Sequence, residues 1–160
     1  RRAYFDNRGQ VAGRKFYYNA AKEVSGGDRG IPVQQAGTEY IFQTELQFNN
    51  LSQAELGTLL VVLGQDEHYP MALKDGGGKP IGMGTMTVAV EAIETPQSLQ
   101  QRYTQYTIPE SNRLEGNALQ PFMKEAIATA HRSLIEKPQL EALARVLQWP
   151  TDRSAPSGVY

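Results

Sequence analysis

Residues 76–84 read Gly-Gly-Gly-Lys-Pro-Ile-Gly-Met-Gly, a run with five glycines in nine positions. Glycine has no side chain to bury and loses the most backbone entropy on folding, so this stretch cannot build a hydrophobic core. Such a run is typical of a backbone that turns sharply or lies close to a ligand. Its N–H groups could meet an anion, and Lys79 would add positive charge. A tight connection without a ligand fits equally well, because Gly and Pro are first of all turn residues.

The residues after the lysine exclude the common nucleotide-binding loop. A P-loop needs Gly-Lys followed by Ser or Thr and then a helix. Here Pro80 follows Lys79, and the next segment, 85–93, alternates like a strand. A short apolar piece at 69–73 precedes the loop. The glycine-rich loop is therefore predicted to connect two strands.

The clearest predicted strand covers residues 39–48. Alternation places four apolar side chains on one of its faces: Tyr40, Phe42, Leu46 and Phe48. The opposite face is polar. This pattern is typical of an antiparallel sheet that is covered on one side only.

A helix is predicted directly after this strand, near residues 53–63. Ser52 and Glu55 have the spacing of a capping box, which satisfies the first free backbone N–H groups of a helix. Leucines recur with helical spacing, and Gly64 marks the end. We expect the helix to pack on the apolar face of the 39–48 strand.

The chain becomes helical beyond residue 96. Residues 108–117 are polar and broken. A helix is predicted from Pro121 to about residue 136, and Pro138 begins another. The buried stripe of the first of these helices is predicted to consist of Phe122, Met123, Ala126, Ile127, Ala130 and Leu134. We therefore divide the chain into a sheet-forming region (1–95), a helical appendage (96–150) and a linker or tail (151–160).

Length and composition are those of one globular domain. The 160 residues are 40% hydrophobic and 21% charged, and no apolar run is long enough to cross a membrane. The absence of cysteine excludes disulfides and cysteine-ligated zinc, and fits a cytoplasmic protein. We expect no cofactor and no metal. The start at Arg1 and the end after a Pro/Ser/Gly-containing stretch indicate a piece of a longer protein.

Charge is distributed unevenly, although the net charge is −1. Residues 1–30 hold seven Lys or Arg against three Asp or Glu, whereas residues 31–70 hold five acidic residues and no basic one. Two basic residues are followed by three aromatic ones in Arg14-Lys15-Phe16-Tyr17-Tyr18, a combination that suits single-stranded nucleic acid. The alternative is that Phe16 and Tyr18 are core residues and that Tyr17 is an ordinary half-exposed tyrosine.

A family resemblance follows from this order of segments. The strand at 42–48, the helix that begins Leu51-Ser52-Gln53-Ala54-Glu55-Leu56-Gly57 and the loop at 76–84 together resemble the RAMP superfamily of CRISPR-associated proteins. Residues 13–18 are similar to a segment of the Cas7-like backbone subunits of type III systems. The resemblance covers roughly residues 10–95.

The resemblance implies a fold and a function. The fold would be α+β, a partial ferredoxin-like (RRM-related) antiparallel sheet with a C-terminal helical segment. The function would be binding of single-stranded CRISPR RNA within a complex with other CRISPR-associated subunits or the remainder of a longer chain, with no membrane. The RNA-binding residues would be Gly76, Gly77, Gly78, Lys79, Pro80, Gly82 and Gly84 of the loop, with Arg14, Lys15 and Tyr17 upstream.

Two other functions remain open at this stage. Some RAMP proteins cleave RNA, and the chain has two histidines that could act as general acid or base, His68 and His131. His68 is the better catalytic candidate, because His131 falls off the apolar stripe of a predicted helix and is expected at the surface. The helices at 97–148 could instead dock another subunit, or pack on the protein's own sheet.

Overall fold

The computed structural model describes residues 8–10, 16–22, 37, 40–95, 103–104 and 112–154. The elements with described bounds are α1 (Gln53–Val62), α2 (Leu119–Ser133) and α3 (Lys137–Leu147), with strands β1 (Leu73–Lys74), β2 (Thr85–Met86), β3 (Ala92–Thr95) and β4 (Asn112–Glu115). The strands pair antiparallel in two separate two-stranded sheets, β1 with β2 and β3 with β4. The chain therefore mixes helix and antiparallel strand, which confirms the α+β class.

Helix α1 begins where its capping box predicts. Ser52 Oγ accepts a hydrogen bond from the Glu55 N–H at 3.3 Å, and the Glu55 carboxylate accepts one from the Ser52 N–H at 2.8 Å. The bond that the Ser52 hydroxyl donates to the Glu55 carboxylate, together with the one from the Ser52 N–H, lowers the pKa of Glu55. Gly64, with φ +78°, follows the last turn. The predicted helix at 53–63 is confirmed to within one residue at its C-terminal end.

The hydrophobic core lies mainly between α1 and α2. Gly57 of α1 faces Ala126 and Ala130 of α2, both fully buried. The buried core residues come from both sides of position 96: Leu56, Leu60, Val61, Met71, Ile93, Leu119, Met123, Ala126, Ile127 and Leu140. The helical region thus packs on α1 and shares its core.

Helix α2 runs two residues earlier at its start and three residues earlier at its end than the predicted range of 121–136. Leu134, expected in the buried stripe, is half exposed because the helix ends at Ser133. The other predicted stripe residues lie within the helix and face the core or its edge.

The predicted strand at 39–48 is wrong for the described residues, 40–48, which carry no regular secondary structure. Three side chains of its supposedly buried face are exposed: Tyr40, Phe42 and Leu46. Phe48 alone of that face packs against the core, and Gln43 donates a side-chain hydrogen bond to Glu91 at 3.2 Å. Alternation identifies which face of a strand would be buried, but a strand also needs a neighbouring backbone for its hydrogen bonds, and none pairs with this segment among the described residues.

Replacing Phe42 with aspartate should change the free energy of unfolding by no more than about 0.5 kcal/mol, because the Phe42 side chain is 78% exposed. Phe48→Asp is the matched control and should cost roughly 3 kcal/mol or more, since it places a charge against the core. Urea unfolding of both variants measures the difference. Equal, large losses would mean that the apolar face of 40–48 is buried after all.

The second predicted strand, 85–93, is divided in the structure. Residues 85–86 form β2 and residues 92–95 form β3. The residues between these two strands, 87–91, pair with no other strand among the described residues. Strand β3 pairs with β4, whose residues lie in the segment 108–117, for which no strand is predicted. Arg113 of β4 pairs with Glu94 across the sheet at 2.7 Å, on the solvent side.

Candidate nucleic-acid interface

The glycine-rich loop is the tip of the β1–β2 hairpin. Its stem is held by the pairs Leu73 with Met86 and Lys74 with Thr85, and by the Asp75 N–H, which donates to Gly84 O at 2.9 Å. A 3₁₀ turn at Lys79–Ile81 folds the tip back on itself. The connection of two strands by this loop is therefore confirmed, and the loop has a defined conformation.

The first half of the loop presents free backbone. Gly76 and Gly77 are exposed, and a Cβ atom built on either would meet no other heavy atom within 4 Å. No hydrogen bond from the amides of Gly76 and Gly77 is recorded among the described residues. These two exposed N–H groups are thus open to an anion, an arrangement that binds phosphate oxygens in many proteins.

The second half of the loop is used by the protein itself. The amides of Ile81 and Met83 donate to Gly78 O at 3.1 and 3.2 Å, and that of Gly82 donates to Lys79 O at 3.2 Å. Gly82 is buried, and Met83 covers the position of a side chain on Gly78.

Gly84 is needed for the shape of the loop. Its φ of +80° is the left-handed conformation that side chains disfavour, and a Cβ there would collide with the carbonyl oxygen of Asp75. No acceptor for its amide is recorded among the described residues. Gly84 therefore keeps the hairpin closed and leaves one further N–H free.

Two lysines place positive charge at the loop in different ways. The Lys79 ammonium donates to Gly76 O at 2.6 Å and remains near the surface, while Pro80 lies in the 3₁₀ turn. The Lys74 ammonium lies beneath the loop, partly buried, and donates to Gly82 O and Met83 O at 2.8 Å each. Burial lowers the pKa of Lys74. Asp75, exposed at the stem, brings an opposing charge.

The N-terminal segment 16–22 packs beside the hairpin through buried Asn19. The Asn19 side-chain amide donates to Ala72 O and to Leu147 O at 2.8 Å each, and its oxygen accepts from the Thr85 hydroxyl at 3.3 Å. The structure thus brings together two segments, the aromatic N-terminal stretch and the loop, that are about sixty residues apart in sequence.

The exposure of the aromatic residues in this segment agrees fully with neither the nucleic-acid interpretation nor the core interpretation of the sequence. Phe16 and Tyr18 are exposed, at 57% and 47%, so the alternative that made them core residues is wrong. Tyr17 is half buried. The guanidinium of Arg153 lies 5.6 Å from the centre of the Tyr18 ring. Arg14 and Lys15, the predicted basic residues, lie outside the described residues.

Sequence reasoning missed Arg153, which belongs to the supposed linker. The Ala21 N–H donates to Arg153 O at 2.7 Å, and Lys22 forms a parallel bridge with Ser154. Arg153 and Ser154 are therefore paired with the N-terminal segment. The polar composition of this stretch gave no signal for the pairing, because the contact depends on residues far away in the chain.

The two histidines lie elsewhere, around Asp66 in the turn between α1 and β1. Asp66 is buried; its carboxylate accepts from the His68 backbone N–H at 2.9 Å and lies 2.7 Å from His131 Nε2. The His68 side chain lines a shallow groove of about 270 Å³ with Tyr69 and Arg145. His131, predicted as a surface residue, is partly exposed and stacks on Tyr69.

The recorded contacts of this histidine cluster do not include the glycine-rich loop. The cluster precedes β1, whereas the loop follows β1, and no recorded hydrogen bond or ion pair among the described residues joins them.

Comparisons with protein-family models, curated proteins and solved structures found no match for this chain. Membership of the RAMP superfamily therefore stays a prediction. Within the described parts of the chain, no helix has the length and apolar character that a membrane crossing requires. No three His, Asp or Glu side chains among those residues are grouped as a metal site.

Proposed function

We propose that this chain binds single-stranded RNA, as a CRISPR RNA-binding subunit or domain of a type III-like complex with a partial ferredoxin-like fold. The observation that carries the proposal is the pair of exposed amides of Gly76 and Gly77, for which no hydrogen bond is recorded. N–H groups at a hairpin tip can bind phosphate oxygens whatever the base sequence. Lys79 adds a cation at the same tip.

Exposed aromatic residues next to the hairpin support RNA over other polyanions. Phe16 and Tyr18 are both exposed and stand two positions apart in the segment that packs beside the hairpin. Bases stack on such rings, and Arg153 offers a planar cation beside Tyr18. In this proposal the loop binds the backbone and these two rings take the place first assigned to Tyr17.

The charge of the described loop predicts modest affinity with a clear salt dependence. If about three phosphates are neutralised, the dissociation constant for a labelled single-stranded RNA should rise roughly twentyfold between about 50 mM and 200 mM salt. Fluorescence anisotropy measures this directly. An affinity that does not change with salt would contradict the proposal.

Gly77→Val should weaken RNA binding about five- to tenfold without lowering the melting temperature. Gly77 has an ordinary φ and open space around its Cβ position, so valine fits the fold but occupies the surface that a phosphate would approach. Ala142→Val, on the exposed face of α3, is the matched control and should bind like the unmodified protein. Equal affinities of all three proteins would remove the loop from the binding site.

Cleavage by this chain has less support. His68 lines a groove whose lining includes no residue of the loop, which gives no support to His68 as a catalytic residue for RNA bound there. The same RNA incubations would reveal shorter products, and their loss in His68→Ala would establish cleavage.

A further inference from the structure

Lys74 has an environment that simple packing does not explain. Its three ammonium protons have three acceptors, all from the loop and its stem: Gly82 O, Met83 O and the Thr85 hydroxyl, at 2.8, 2.8 and 3.3 Å. No carboxylate among the described residues pairs with it. A partly buried cation without a counter-ion is costly, and an apolar side chain would fill the same space at lower cost.

The contact with Met83 sets the direction of a particular N–H group. In a planar trans peptide, the C=O of one residue and the N–H of the next point in opposite directions. Because Met83 O points at the Lys74 ammonium, the Gly84 N–H points away from it. That amide has no recorded acceptor among the described residues, whereas the Met83 amide is already bonded to Gly78 O.

We propose that Lys74 is a positioning residue of the RNA site, which holds the Met83 carbonyl inward so that the Gly84 amide is presented to a phosphate oxygen. This inference rests on the proposed function. Lys74 itself contacts no phosphate, because its three protons are taken.

The rest of the network provides a matched control. Thr85 accepts from Lys74 and donates to Asn19, and Asn19 holds Ala72 O and Leu147 O. Asn19→Ala therefore damages the same network on the side away from the loop. It should destabilise the protein without turning the Met83–Gly84 peptide.

The test is an NMR titration of the glycine amides with a single-stranded oligoribonucleotide, using the unmodified protein, Lys74→Met and Asn19→Ala. In the unmodified protein, the amides of Gly76, Gly77 and Gly84 should all shift. Lys74→Met should lose the Gly84 response, keep those of Gly76 and Gly77, and bind about tenfold more weakly, the effect of one lost hydrogen bond to a charged group. Asn19→Ala should keep all three responses.

Salt dependence separates positioning from direct contact. The slope of affinity against salt should be unchanged in Lys74→Met, whereas loss of a direct phosphate contact would reduce it by about 0.7. The inference is overturned if Gly84 does not shift in the unmodified protein, a result that needs no variant, or if Asn19→Ala loses the Gly84 response as Lys74→Met does. Failure of the unmodified protein to bind any RNA would instead overturn the proposed function.

Discussion

Replacing Gly57 with alanine should lower the free energy of unfolding by about 3 kcal/mol. Glycine inside a helix normally costs roughly 1 kcal/mol relative to alanine, so the same change on an exposed helix would stabilise the protein. Here an added Cβ collides with the backbone carbonyl of Ala126 and lies 2.9 Å from the Ala130 Cβ. Forcing α1 and α2 apart loosens the core that both share, and overpacking of this kind costs several kcal/mol when backbone must move.

Chemical denaturation measures this change, and two further variants define its cause. Gln53→Ala, at an exposed position of α1, should be nearly neutral. Adding Ala130→Gly to Gly57→Ala should recover only part of the loss, because the closer contact is with main chain that no side-chain change removes. A stabilised Gly57→Ala protein would show that the two helices do not meet at this glycine.

Local sequence signals predicted the elements that local interactions determine. The capping box of Ser52 and Glu55 fixes the start of α1 through bonds between residues three apart, so the sequence alone locates it. The strand at 39–48 depends on a partner that the alternation of its residues cannot identify. Strand β4 has a partner that its own residues do not indicate, so it was not predicted. Its pairing with β3 relies on cross-strand contacts such as Arg113 with Glu94, which no local pattern reveals.

The candidate site likewise combines features that the local sequence predicts with features that depend on contacts between distant residues. The position of the glycine-rich loop on a hairpin tip follows from its composition and its flanking segments. Which of its amides are free depends on how the 3₁₀ turn closes, and the sequence does not distinguish Gly77 from Gly82. Asn19 and Arg153 reach the site through contacts with residues far along the chain, so sequence patterns gave no reason to select them. Lys74 lies just before the loop, but its bonds to Gly82 O and Met83 O depend on how the loop closes.

Replacing His131 with alanine should lower the free energy of unfolding by about 2–3 kcal/mol. The Asp66 carboxylate is only 3% exposed and accepts two hydrogen bonds, one from the His68 backbone and one from His131 Nε2. With Asp66 as the acceptor of this bond, His131 Nε2 is the donor. Removing the imidazole leaves a buried carboxylate oxygen without that partner, which is more costly than losing a contact at the surface. The full penalty for a buried ion pair does not apply, because His131 is 34% exposed and water can reach part of the site.

The other histidine is the natural control for this prediction. His68 donates to Asp66 only through its backbone N–H, so His68→Ala keeps that bond and should alter stability by less than about 0.5 kcal/mol. His131→Gln retains an N–H donor and should recover part of the loss. In a background of Asp66→Asn, His131→Ala should cost less, because the oxygen left without a donor is no longer charged. Equal effects of the two histidine substitutions would mean that Asp66 does not rely on His131, and that the turn before β1 is held to α2 in some other way.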